Sequence, residues 1–599
     1  MHQHGGRFSG DVKKTFDKRL LKKALRFSYP YWYLLVIALV LMLLFTAADI
    51  YRPILEGDGI DKFMQGAVDG KLTVKEALAG LKDLGVIYLW LIISQFVVGI
   101  VRDFTMRYTS ERIIKDIRTA VFNKVQRLPM SYFDKNPAGA IATRITNDPQ
   151  ALNELFTTVI LGILQSVVVM VFVLVIMFGQ NVELTLCLLA VMPIVTVGAI
   201  IFQKYARKVF REIRTKIAEV NAFLAEHISG IKIIKAFDIK KLKIEENQEV
   251  NEGLRKANSK IIYLFGIFRP LMEFAGNLAL ALILYFGTKQ FMSGTITVGL
   301  IFIFVKYMKK FFNPLIELAE QFNVFQSSMA AAEKIFSILE DESEPEPDGG
   351  YELPEEVLGR IEFKNVWFAY VGENWVLKDV SFTIEPGQDI AIVGATGAGK
   401  TSIINLLCGF YEYQKGSITV DGVELRDMKK HEYRRHIGIV LQDVYLMTGT
   451  IKDNIRLSNK DISCLQVKET ARYVQASKFI EKLPKGYDHR ISSGGSTLSA
   501  GERQLISFAR ALLNNPEILI MDEATANIDT ETESLIQESL RKLQENRTSI
   551  TVAHRLSTIQ NADNILVLHK GRIYETGNHF ELIARQGLYY DLVQLQYQD

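Results

Sequence analysis

The sequence predicts a chain of two parts: an all-α membrane domain of six helices, then an α/β domain built on a phosphate-binding loop. Three observations carry this expectation. Six apolar runs fall within the first 322 of 599 residues. A charged, Pro- and Gly-rich break follows at Glu340–Gly350. Beyond it, Gly394-Ala395-Thr396-Gly397-Ala398-Gly399-Lys400-Thr401-Ser402 fits G-x-x-x-x-G-K-[ST].

Taken in order, the chain opens on a basic amphipathic stretch. Lys13, Lys14, Lys18, Arg19, Lys22, Lys23 and Arg26 surround Phe16, Leu20, Leu21, Leu25 and Phe27. This predicts an interfacial helix within 1–30 that lies on an anionic leaflet. The apolar runs follow at 32–55, 84–107, 157–179, 181–203, 261–287 and 297–322. Each supplies the ~20 residues that cross ~30 Å of hydrocarbon. Only Gly179–Glu183 separates the third from the fourth, which predicts a tight hairpin. Lys/Arg bias orients the set. The basic start and the long connections at about 108–156 and 204–260 lie inside, and the acidic loop 56–80 lies outside. An even number of spans returns the C-terminal half to the cytoplasm of a multi-pass protein of the cell membrane.

The two inner connections read as helix with a central interruption. One interruption is Pro129–Gly139, the other Glu226–Phe237. Both predict short helices at the tips of the long ones. The resulting domains are 31–339 for the membrane part, 340–352 for a linker and 353–599 for the α/β part.

Composition narrows the function. A net charge of +3 gives no footprint for bulk nucleic-acid binding. Three cysteines, Cys187, Cys408 and Cys464, show no C-x-x-C spacing and imply neither a disulfide framework nor a zinc site. The phosphate loop has the context that the motif needs. A strand-like run, Asp389–Val393, enters it and a helix-like run leaves it from Ser402. Glycines let backbone N–H groups turn toward phosphate oxygens, and the helix start points its positive end at the same anion. Lys400 is expected on the β- and γ-phosphates and Thr401 on Mg²⁺. Glu517–Glu523 reads as an apolar strand ending in two carboxylates, delivered beside the phosphate loop on the neighbouring strand. Asp522 is expected near Mg²⁺ and Glu523 as general base on the attacking water. Ser493–Gln504 precedes a second helix, so one module carries two anion-binding ends.

These motifs together resemble the ATP-binding cassette (ABC) exporters of the half-transporter type, over essentially the whole chain. The resemblance implies ATP and Mg²⁺ as cofactors, held by the phosphate loop, with Thr401, Gln442 and Asp522 at the metal. It implies adenine stacking on Tyr370, a γ-phosphate contact from His554 and a D-loop at Ala526–Asp529. It also implies two cassettes meeting head to tail, so that Ser499, Ala500, Gly501 and Glu502 of one chain cover the other chain's ATP. The inner tips, with Phe133, Asp134, Gly139, Glu226 and Gly230, look like coupling helices. One departure matters. The family's signature is usually L-S-G-G-Q, and here it is Leu498-Ser-Ala-Gly-Glu502. A carboxylate at about 4–6 Å from a triphosphate costs on the order of a kcal/mol or more. Glu523 and His554 are intact. The split predicts a heterodimer with a second half-transporter, one of whose two ATP sites is impaired; a homodimer with two weak signatures is the alternative.

The expected activity is ATP-driven export of hydrophobic or amphipathic small molecules by alternating access. A lipid flippase of the same fold is the alternative, and an ATP-gated channel or regulatory ATPase follows. No nucleic acid is expected as partner. Phe265, Phe268, Met272, Phe274 and Phe304 are candidate substrate contacts, with core packing as their other reading. Arg269, Glu273 and Lys306 are expected to face a cavity or each other. Asp49 and Arg52 belong either to an outer gate or to the solvated interface.

Overall fold

A computed structural model describes residues 18–344, 351, 357–495, 497–522, 530–552 and 559–597. The chain divides into two compact units, residues 1–126 with 138–341, and residues 127–137 with 342–599.

The first unit is helical. Helix α1 (Lys18–Ser28) is the basic amphipathic segment. The long helices are α2 (Trp32–Gly59), α3 (Val74–Val125), α5 (Ala138–Glu154) running through a π-helical turn into α6 (Leu161–Gln180), α7 (Val182–Ser229), α9 (Lys240–Met292) and α10 (Val298–Glu340). The tips are α4 (Met130–Lys135), which belongs to the second unit, and α8 (Ile231–Ala236). Among the described residues, five helical runs are long and apolar enough to cross a membrane: 19–68, 74–125, 138–180, 182–229 and 240–292. The sixth, α10, has Lys306, Lys309 and Lys310 in its apolar half. Lys306 lies 3.1 Å from Glu56 of α2, and Lys310 pairs with Asp49 of the same helix.

Spans and inner connections are single helices. The 52 residues of α3 reach roughly 78 Å at 1.5 Å each. The loop expected at 56–80 is mostly helix too. Helix continues to Val68, and α3 restarts after Thr73, whose hydroxyl forms a capping box with Glu76. Asp61 explains why the acidic end stays ordered. Its carboxylate accepts the Gly299 N–H at 2.7 Å and the Thr297 hydroxyl at 2.5 Å, and so caps the start of α10. The expected hairpin is present and turns on Asn181 alone, whose side chain accepts the Leu184 N–H at 3.0 Å.

The aromatic candidates divide. Phe268, Met272 and Phe304 are buried in the helical core, with Phe268 stacked on Phe202 at 4.1 Å; Phe265 meets Phe202 edge-on at 5.0 Å. Core packing is the reading that holds for these. Phe274, Arg269 and Glu273 are exposed on this chain.

The second unit holds two sheets. Strands β1 (Ile361–Phe368), β2 (Leu377–Ile384), β4 (Lys415–Val420) and β5 (Val423–Glu424) form an antiparallel sheet ordered β2-β1-β4-β5. Strands β3 (Asp389–Val393), β6 (Ile437–Val440), β9 (Ile518–Asp522), β10 (Thr548–Val552), β11 (Asn564–His569) and β12 (Arg572–Gly577) form the larger sheet. Its order is β12-β11-β3-β10-β9-β6, parallel except for β12. A third pair joins β7 (Gly449–Thr450) and β8 (Arg490–Ile491). The central strands bury both faces, which is why they read as unbroken apolar runs. Ile390 and Ile392 point into the core shared with the antiparallel sheet, while Ala391 and Val393 point into a second core with Val567 and Leu582. Helix α11 (Lys400–Leu407) follows β3, α12 (Cys464–Tyr473) and α13 (Ala500–Leu512) precede β9, and α14 (Thr530–Gln544) precedes β10.

Candidate nucleotide site

Strand β3 ends at Val393 and α11 begins at Lys400, so the loop between them projects from the carboxyl end of a buried parallel strand. Left-handed glycines shape it. Gly394 has φ +155°, Gly397 +81° and Gly399 +109°. A Cβ on Gly394 would lie 2.4 Å from the Leu568 carbonyl, so that position has room for hydrogen only. Ala395, Thr396 and Gly397 are exposed, whereas Ala398, Gly399 and Lys400 are buried. The Lys400 ammonium donates back to the Gly394 carbonyl at 2.7 Å, which holds the side chain across the loop. Gly399 is the N-cap of α11 and supplies no side-chain cap, so the helix start is open to an anion.

Thr401 is exposed at the first turn of α11, and Ser402 is buried. The Ser402 hydroxyl shares a 3.1 Å hydrogen bond with the Tyr370 hydroxyl, which also accepts from the Asn405 amide at 3.1 Å. Tyr370 is thereby tied to the helix that carries the phosphate-loop residues, with its ring 43% exposed beside Tyr411 and Phe368. That exposed face suits a planar base. Sequence reading singled out Tyr370 but not Asn405 or Tyr411, because side chains from separate segments meet only in the fold.

Asp522 closes β9 and is 8% exposed. The expected neighbouring-strand arrangement is corrected here, since β10 lies between β3 and β9. Val552 of β10 faces Ile392 on one side and Asp522 on the other. Two strand spacings put Asp522 on the order of 10 Å from Ile392, level with the end of β3 just before the loop. A metal ion and its water shell would bridge such a gap. Gln442 is exposed just beyond β6. Glu523, Ala526–Asp529 and His554 lie outside the described residues.

The second anion-binding end departs from expectation in its detail. Ser499 is the N-cap of α13, and Glu502 stands at its third position. The Ser499 hydroxyl accepts the Glu502 N–H at 3.2 Å, and the Glu502 carboxylate accepts the Ser499 N–H at 2.8 Å. This is a capping box, so the carboxylate turns back onto its own helix start. Gly501 is buried and Ala500 half-buried at this start.

The tips also differ from each other. In α4, Asp134 accepts a hydrogen bond from the Tyr411 hydroxyl, and Phe133 packs edge-on to Tyr132 at 5.8 Å. Burial and that carboxylate both push the Tyr411 phenol well above its ordinary range. Gly139 opens α5 with no neighbour over its Cα. At the second tip, the Glu226 carbonyl accepts the Gly230 N–H at 2.8 Å and ends α7. Beside it Ile228, Ile233 and Phe237 are 70%, 61% and 75% exposed.

A helical unit built to cross a bilayer, joined to a phosphate-loop α/β unit, defines the class of ATP-driven membrane transporters. The comparisons with known proteins agree. The family described as ABC transporter transmembrane region matches residues 35–315, and that described as ABC transporter matches 377–526. The chain is 41% identical over 496 residues to YheH of Bacillus subtilis, a probable multidrug resistance ABC transporter ATP-binding/permease protein; 82% of this chain and 73% of that one are covered. It is 34% identical to an ATP-dependent lipid A-core flippase of Syntrophus aciditrophicus, over 99% of this chain and 96% of the other. A bacterial Atm1-family ABC exporter with ATP bound shares the fold, with a TM-score of 0.80, 24% identity and coverage of 97% and 99%. The chain belongs to the ABC exporters, as a multi-pass membrane protein that binds and hydrolyses ATP on a cytoplasmic cassette.

Proposed function

We propose that the chain is half of a heterodimeric exporter that moves hydrophobic or amphipathic small molecules across the cytoplasmic membrane by alternating access. The observation that carries the asymmetry is the carboxylate of Glu502, set at the helix start that would cover the partner's ATP. On this reading α10 is a sixth span, with Lys306 and Lys310 neutralised by Glu56 and Asp49, within a membrane domain of 31–339. Residues 340–352 link it to a cassette of 353–599.

ATP is held by Gly394–Ser402 and Tyr370. Thr401, Gln442 and Asp522 have the oxygen donors that suit Mg²⁺, which neutralises phosphate charge when bound. Glu523 then acts as general base and His554 contacts the γ-phosphate. ATP draws two cassettes together, and hydrolysis releases them; each ligand acts only through its differential affinity for the two states. The tips α4 and α8 transmit the movement. The Tyr411–Asp134 hydrogen bond supports this for the first tip. The bare apolar side chains around the second fit a partner's cassette.

The test is ATP turnover by the chain alone and with a co-expressed partner half. Turnover is expected only in the pair, and Glu523→Gln should leave ATP binding while abolishing hydrolysis. Robust turnover by a stable homodimer would overturn the heterodimer. The resemblance to a lipid A-core flippase keeps lipid flipping as a second reading. Reconstituted vesicles scored for both amphiphile uptake and lipid flipping separate the two, and turnover without either would point to a channel or regulatory ATPase.

A further inference from the structure

The linker that follows α10 is fastened where the phosphate-loop helix ends. Helix α11 stops at Leu407, and Gly409 turns the chain away at φ +65°. The last carbonyls of a helix lack partners within it and carry its negative end. Here side chains supply the donors. The buried Tyr433 hydroxyl donates to the Leu407 carbonyl at 2.7 Å. Arg434 donates to the Cys408 carbonyl at 3.2 Å and to the Gly409 carbonyl at 3.1 Å. The same guanidinium reaches both carboxylate oxygens of Glu344, at 2.6 and 3.3 Å. A lysine has no such fork and could not serve two carbonyls and a carboxylate together.

Glu344 also holds the first tip. Its backbone N–H donates to the Arg127 carbonyl at 2.7 Å, just before α4 begins. Toward the other end of α4, Asp134 accepts from the Tyr411 hydroxyl. The tip is therefore tied on both sides to groups that adjoin the end of α11. One hydrogen bond leaves a short helix free to pivot, whereas two on opposite sides also fix its direction. Arg127 lies just past α3 and Glu344 just past α10, so the chain leaving each long helix passes through this contact. The Glu344 and Arg434 side chains are 26% and 31% exposed. Ion pairs that reach water to this degree add little to stability, so what the pair contributes is position.

We infer that Glu344 is a positioning residue: with Arg434 it clamps the end of the phosphate-loop helix to tip α4, so that nucleotide at the start of α11 sets the direction of the tip. The eight residues of α11 form a rod about 12 Å long, which delivers a displacement of its start at its end. The inference rests on the reading of the tips as transmitting elements. It deepens that reading by adding a second attachment, the linker carboxylate, to the Tyr411–Asp134 contact.

Hydrogen–deuterium exchange of the full-length chain in lipid nanodiscs tests this, with and without AMP-PNP and Mg²⁺. In the wild type, nucleotide should slow exchange across residues 130–136 by about tenfold. In E344A that nucleotide-dependent change should fall to about twofold or less, while nucleotide affinity and the thermal midpoint hold. R434K keeps the charge and loses the fork, and should lose the response as well. A merely structural role would lower protection of the tip equally with and without nucleotide, and that result overturns the inference. A full nucleotide response in either variant overturns it too, and leaves the tips as transmitting elements. A wild-type tip that ignores bound nucleotide removes the transmitting role itself, and the clamp with it.

Discussion

Two helix starts in the α/β unit invite comparison, because both present backbone N–H groups and the positive end of a helix dipole. Helix α11 starts at a left-handed Gly399 with no side-chain cap. Helix α13 starts at Ser499, closed by Glu502 in a capping box. The first start, on the proposed reading, is left for an outside anion. The second already holds one, one residue type away from neutrality. The chain contains its own control, since Ser463 and Gln466 at the start of α12 form the same box with an uncharged amide. Geometry is therefore shared between Gln and Glu at that position, and only charge differs.

The largest expected effect removes the cation from the open start. Lys400→Ala should weaken ATP binding by about 100-fold or more, measured by fluorescent-nucleotide titration, because a charge-assisted phosphate contact is lost. Unchanged binding would mean that the open start is not the nucleotide site. Gly394→Ala comes next. The added methyl meets the Leu568 carbonyl, and the loop must shift to relieve it, at a cost of about 2–3 kcal/mol. Both nucleotide affinity and the thermal midpoint should fall.

The strand beneath the open start carries its own anion. Burial pushes Asp389 up to about 6, helped by the nearby Asp563, while the Ser549 hydroxyl works in the opposite direction. A carboxyl whose folded value is raised binds its proton more tightly when folded. Its contribution is present at low pH and is lost as pH rises from the ordinary value near 4 toward 6. Denaturant melts of the wild-type chain should show a loss on the order of 2 kcal/mol across that window. Asp389→Asn should flatten it and be more stable at neutral pH. A pH-independent difference between the two would contradict the assignment.

Smaller effects belong to the closed start. Glu502→Gln keeps the box and removes the charge, so stability should hold while ATP affinity at the partner's site rises about fivefold. No change would show that the carboxylate is fully neutralised by its own helix. Ser499→Ala removes the cap itself and should cost about 1 kcal/mol by thermal melting. A neutral result there would mean that the box adds nothing to α13.

Much of this was legible in order along the chain. Gly394–Ser402 could be read because the motif, its entering strand and its leaving helix are contiguous. The hairpin at Asn181 and the break after Glu340 were legible for the same reason. Other features misled. The loop at 56–80 reads as polar, yet Asp61 is polar because it caps a helix more than 230 residues away in sequence. Strand β10 lies between β3 and β9, although it follows both in the chain. Glu344 and Arg434 stand 90 residues apart, and nothing local says that they pair.

The sequence alone marked five segments that are long and apolar enough to cross a membrane, where the chain changes from helix to α/β, and which loop fits a phosphate-binding motif between a strand and a helix. Those properties follow from local periodicity, hydropathy and glycine placement, which act over tens of residues. The tertiary structure decided the rest. Phe268 and Phe304 became core, Glu344 closed on Arg434, and Glu502 turned onto its own helix start instead of outward. Each outcome depends on which distant groups share a surface, and burial and partner geometry are set only when the segments pack.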